Sequence, residues 1–181
     1  MKINDGTGSN REAKVNIRNR VDVSAATFKE SHLVSAIDAS TYLWTTSFSA
    51  ATGNEIIYIK NTSKTKLLVI DKVTVNSVNA GLFELFQVTG TAAGTSITGK
   101  NANLTSGNTA EATALGEASV TGLTIGDRID LARTAANGRA TMELDDVLIM
   151  GLNDAIAITY TGSTGIVDAI ITGYYDVIEG I

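Results

Sequence analysis

The 181-residue chain contains no cysteine, no proline, one histidine and no long apolar run. Without cysteine there are no disulfides, no zinc–thiolate sites and no thiol nucleophile. Stability therefore comes from burial, hydrogen bonding or assembly. Average usage of about 5% predicts roughly nine prolines in a chain of this length. With none, turns fall to the 17 glycines and to Asn, Asp and Ser, which tolerate positive φ or bond their own backbone. No segment approaches the ~18 apolar residues of a membrane-spanning helix. The start, Met1 to Gly6, is polar and lacks the apolar stretch of a secretory signal. The expectation is a protein made in the cytoplasm and kept soluble.

The hydrophobic fraction is 44%, the charged fraction 18% and the aromatic fraction 6%, values that fit a globular chain with modest surface charge. Net charge is −5, unevenly spread. Residues 1–30 hold six Lys/Arg against four Asp/Glu, and residues 31–181 hold eight against fifteen. An acidic body argues against nucleic acid as a partner, because phosphate contacts need a basic face. A mildly basic arm on that body points to a partner for the arm, although a solvated terminus explains it equally.

The clearest pattern lies in the arm. From Lys14 to Val23, Val15, Ile17, Val21 and Val23 fall on one side, with Asn19 the exception, and Lys14, Asn16, Arg18, Arg20 and Asp22 fall on the other. This is the period of a half-buried strand. Val15, Ile17, Arg18, Arg20, Val21 and Val23 form the candidate assembly interface, either within the protein's own sheet or on a neighbour's edge. Burying the four aliphatic side chains contributes roughly 6–12 kcal/mol before ordering costs. Residues 1–40 read as arm and linker. Within them Phe28–Val34 fits either a helical turn or a strand.

Residues 41–181 read as one domain. Tyr42–Thr46 has strand composition, and Glu55–Lys60 is apolar on both faces, as in a central strand. Lys66–Val75 places Leu67, Val69, Val73 and Val75 on one face, and Leu82–Val88 follows a turn. Residues 90–118 are Gly/Thr-rich and read as a long surface loop. Beyond them, Arg128–Arg133 and Thr141–Met150 flank Asn137-Gly138, a hairpin signal. Met142, Leu144, Leu148 and Met150 share one face. Ala155–Thr161 and Ile166–Tyr175 flank Gly162–Gly165, a second hairpin signal. Eight to ten short strands with turn residues between them predict an all-β, antiparallel, jelly-roll-like β-sandwich with an extended N-terminal arm.

Reactive constellations are few. His32, the sole histidine, does not make a metal site without further soft ligands. Asp5-Gly6-Thr7-Gly8-Ser9 lacks the Gly-Lys-Ser/Thr ending of a phosphate loop. Asp145 and Asp146 fall on opposite strand faces, and Asp127 and Asp130 diverge. Asn153-Asp154 marks a turn. A calcium site has no EF-hand spacing to support it. For Tyr42 with Trp44, and for Tyr174-Tyr175, alternation places one of each pair inward, so core packing outranks sugar stacking. Asn61-Thr62-Ser63 and Asn103-Leu104-Thr105 match the glycosylation pattern but read as polar turns.

Three stretches carry a resemblance: Asp5–Ala25 (DGTGSNREAKVNIRNRVDVSA), Gly53–Val75 (GNEIIYIKNTSKTKLLVIDKVTV) and Gly151–Asp176 (GLNDAIAITYTGSTGIVDAIITGYYD). Together they resemble the small virion structural proteins of tailed bacteriophages. That resemblance implies a β-sandwich, often trimeric, docking through its N-terminal arm on a shell or neighbour. It implies no catalytic residue, metal, cofactor or small-molecule substrate. The expected function is capsid decoration on the virion exterior, with the major capsid protein and copies of itself as partners. A tail or adhesion module using the 90–118 loop and the Tyr174-Tyr175 end is the alternative. An enzyme on a cupin-like barrel ranks last, since that site needs several histidines.

Overall fold

A computed structural model describes residues 39–177 and the short pieces Ile3–Asn4 and Glu12–Ala13. Those two pieces pair antiparallel as β1 and β2. The remaining strands are β3 (Thr41–Ala50), β4 (Asn54–Asn61), β5 (Lys66–Ser77), β6 (Gly81–Ser96), β7 (Lys100–Asn101), β8 (Ala112–Thr134), β9 (Gly138–Met150), β10 (Ala155–Gly162) and β11 (Gly165–Val177). There is no helix among the described residues. The all-β expectation holds, as two antiparallel sheets packed together. The expected strand at Lys14–Val23 lies outside the described residues.

One sheet has the order β7-β3-β11-β5-β9. The other joins β4, β10, β6 and β8 and closes on itself. It closes because β10 and β8 each pair with both β4 and β6: β8 runs along β6 from Leu115 to Thr134, and its start, Ala112 to Val120, also pairs with β4. The main core lies between the sheets. β3 alternates cleanly and sends Tyr42, Trp44 and Phe48 inward. β4 brings Ile57 and Ile59, β6 brings Phe83 and Leu85, and β10 brings Ile156 and Ile158. Full burial of each such side chain contributes roughly 1.5–3 kcal/mol. Aromatic pairs tie the ends together: Tyr42 meets Tyr175 edge-on at 5.6 Å, and Phe83 meets Tyr160 at 5.1 Å.

A second, smaller core gathers Tyr58, Val88, Leu115, Val120, Ala155 and Ala157. Its members come from β4, β6, β8 and β10, the four strands of the closed sheet. Glu55–Lys60 is thus buried on both faces, as its composition predicts.

Three local expectations change. In β5 the core side chains are Leu68, Ile70, Val73 and Val75, not Leu67 and Val69 with the latter two. Both neighbouring strands skip Asp71, stepping from Ile70 to Lys72. That bulge adds one residue and reverses the parity of the strand. In β9 Met142, Leu144, Leu148 and Met150 do meet the main core as expected. Asp145 and Asp146 between them are not in regular alternation: both have positive φ (45° and 63°) and lie opposite Asp71, where β9 steps from Leu148 to Glu143 in the same register shift.

The two hairpin signals mark tight turns that are not hairpins. Gly138 N–H donates to the Ala135 carbonyl at 2.9 Å, and Asn137 has φ 55°. Yet β8 and β9 belong to different sheets, as do β10 and β11. Each turn is an arch that carries the chain across the core.

Much of the 90–118 segment is strand. β6 runs on to Ser96, β7 takes Lys100–Asn101 and β8 begins at Ala112, which leaves 97–99 and the longer 102–111 connection irregular. The β6–β8 ribbon bends where Gly90 (φ 104°) and Gly122 (φ 77°) face each other. A Cβ on Gly90 would lie 2.5 Å from the Gly122 carbonyl oxygen, so only glycine fits that crossing.

Candidate functional site

The six residues of the expected assembly interface, Val15, Ile17, Arg18, Arg20, Val21 and Val23, lie outside the described residues, as does His32. Tyr42, Trp44, Tyr174 and Tyr175 are all buried. Tyr42 and Trp44 both point into the main core, since positions two apart on a strand share a face. Asn61 is fully buried and acts as a structural clamp. Its Nδ2 donates to the Met150 and Lys66 carbonyls at 2.9 and 3.1 Å, and its Oδ1 accepts the Ser63 N–H at 3.0 Å. Asn103 closes its own turn by accepting the Thr105 N–H at 3.2 Å. Asp154 does likewise, accepting the Gly151 N–H at 2.8 Å. Among the described residues no three His, Asp or Glu side chains converge as metal ligands.

Two surface features gather groups distant in sequence. The first is a polar cavity of about 330 Å³ where β5 begins, β11 ends and the 102–111 connection passes. Lys66 Nζ meets Glu111 Oε1 at 2.6 Å and stands 5.9 Å from the centre of the Tyr175 ring. The connection is held in place by backbone and side-chain bonds. Thr62 N–H and Oγ1 both donate to the Glu111 carbonyl, at 3.0 and 2.9 Å. Asn101 Nδ2 donates to the Ala39 carbonyl at 2.6 Å.

The electrostatics of this cavity follow from burial and pairing. Hydrogen bonds from Lys66 and Ser63 hold the Glu111 carboxyl below the usual carboxylate range. Burial, then the Glu111 charge, pushes the Tyr175 phenol well above its ordinary value. The Glu111 backbone amide opposes that rise, but it lies near the hydroxyl without closing a hydrogen bond, and the hydroxyl has no partner. Tyr42 is raised more modestly, burial outweighing the opposing Asn101 and Lys66. At neutral pH the cavity thus holds an ammonium and a carboxylate that neutralise each other, beside protonated phenols. It offers donors and acceptors of near-zero net charge.

Comparison with known proteins returns no match: no family model, no curated protein and no solved structure is significantly similar to this chain.

The second feature is a mostly apolar groove of about 220 Å³ beside β9. Ile129, Leu148, Ile149 and Ile156 line it, with Asp127 and Asp154 among its polar members. β9 is the last strand of its sheet, so one of its edges has no neighbour in that sheet among the described residues. Val147 is 80% and Ile149 54% exposed along it. Alternation made this feature partly legible: with Met142, Leu144, Leu148 and Met150 inward, Val147 and Ile149 fall outward. The Lys66–Glu111–Tyr175 cluster carried no such signal, since its members are scattered along the sequence and form no motif.

Proposed function

We propose that the protein is a virion structural component of a tailed bacteriophage, decorating the capsid exterior through its N-terminal arm and its sandwich surfaces. The observation that carries this reading is the connectivity. From β3 to β6 successive strands alternate between the sheets, and β8 to β11 alternate again, giving β3-β11-β5-β9 opposite β4-β10-β6-β8, with β8 also returning to pair with β4. We read that order as an eight-stranded jelly roll, the double Greek key of many capsid domains. A fold alone does not assign a function. The sequence adds its resemblance to phage virion proteins and a basic, alternating arm on an acidic body. The exposed aliphatic edge at β9 suits a part that works by surface fit. On this reading the partners are the major capsid protein and further copies of the chain, most simply as a trimer.

The test is cosedimentation of the purified chain with heads, and separately with tails and host cells, of the phage that encodes it. The chain is expected to pellet with heads. Removing residues 1–23 is expected to weaken that binding at least about tenfold, the equivalent of ~1.4 kcal/mol. Undiminished binding would remove the arm from the mechanism. Binding to cells but not to heads would favour a tail or adhesion role instead.

A further inference from the structure

We infer that the outer edge of β9, which has no neighbour in its sheet among the described residues, is the acceptor for residues 14–23 of a second copy of this chain, which add to it as a strand. This rests on the arm-mediated assembly proposed above and names its docking site. Val147 and Ile149 stand exposed at 80% and 54% on a terminal strand of the sheet. The irregularity at Asp145–Asp146 interrupts this edge, and the aliphatic stretch beyond it, Val147 to Met150, is the part open to another strand, with no proline to guard it. The groove alongside holds about 220 Å³ and is lined by Ile129, Leu148 and Ile149, room for an aliphatic side chain.

Charge selects the occupant. Residues 31–181 carry eight Lys/Arg against fifteen Asp/Glu, so two bodies repel each other when edge meets edge. Asp127 and Asp154 border the groove, and Arg128 nearby is engaged with Glu84 at 2.7 Å. A basic strand is required, and the arm supplies one: Val15, Ile17, Val21 and Val23 on one side, Lys14, Arg18 and Arg20 on the other. Added strands of this kind gain affinity from main-chain bonds and specificity from alternate side chains. Residues 24–40 span at most roughly 60 Å when extended, enough to reach a neighbouring copy.

The absence of cysteine allows a direct test. Full-length chains carrying Ile17→Cys or Val21→Cys are mixed with differently tagged chains carrying Ile149→Cys and oxidised gently. The control acceptor is Ile166→Cys, equally exposed at 54% on β11. Disulfide between the two tags is expected at least about tenfold above the control, because a bridge needs Cα atoms within roughly 7 Å. Arg18→Glu with Arg20→Glu in the donor chain is expected to abolish that excess. Equal yields at positions 149 and 166 would overturn the inference. So would a bridge that forms within one chain of the double variant and not between mixed chains. If heads are bound while no such bridge forms, the inference fails and the decoration role stands. If the bridge forms and heads are not bound, the reverse holds.

Discussion

Tyr175 and Asn61 show what a buried polar atom does with and without partners. The Tyr175 hydroxyl is buried with none, and an unmade hydrogen bond of this kind costs about 1–3 kcal/mol. Tyr175→Phe is therefore expected to raise stability by about 1 kcal/mol at neutral pH, read as a higher urea midpoint at unchanged slope. Loss of stability instead would mean that the hydroxyl has a partner. Asn61 satisfies two carbonyls and one amide from a fully buried position. Asn61→Ala strands all three and is expected to cost about 2–4 kcal/mol by the same denaturation. Its sequence context, Asn-Thr-Ser, announced a turn but not that the side chain would be the peg joining β4 to the end of β9.

At the scale of elements, the bends in β6 and β8 decide the architecture. Gly90 and Gly122 stand two residues from Val88 and Val120 of the second core. Gly90 and Gly122 make the bend possible, since both have positive φ and each would drive a Cβ into the other strand's backbone. Gly122→Ala is expected to cost about 1–3 kcal/mol from backbone strain alone. For a chain of this size that lowers the melting temperature by roughly 2–12 °C. Gly53 also has positive φ, but nothing lies within 4 Å of a Cβ there, so Gly53→Ala is expected to fall near the lower limit. Equal losses at the two sites would rule out the steric share of the argument. The glycines of 90–118 were visible in the sequence as loop signals. Their actual use, bending paired strands, needed the partner strand to be known.

For the whole molecule, the shifted groups set a pH window. Tyr175, Tyr42 and Tyr58 have raised folded-state values, all chiefly through burial. An acid with a raised value keeps its stabilising share below its unfolded value of 10.0 and loses it as pH climbs further. Glu111 is lowered, so its share is present above 4.5 and fades as pH falls through the folded-state value. Thermal melts are expected to show a plateau between these limits, falling on both sides. Tyr175→Phe is expected to soften the alkaline fall. Glu111→Gln is expected to alter the acid side only slightly, because the Glu111 side chain is 41% exposed and solvent screens its pair with Lys66. A large acid-side change would place more of the stability in the cavity than its exposure allows.

Strand identity, the all-β class and most of the core were already determined by the sequence, because side-chain period and turn chemistry act locally. That basis places Met142, Leu144, Leu148 and Met150 on one face and marks Glu55–Lys60 as buried on both faces. The tertiary structure alone decided three things. It made both turns with hairpin chemistry cross between sheets, since an arch and a hairpin use the same residues and differ only in where the next strand finds its partner. It set the parity of β5, since the bulge at Asp71 answers to the strands on either side. It also brought Lys66, Glu111 and Tyr175 together, a meeting that depends on long-range pairing and leaves no trace in local spacing.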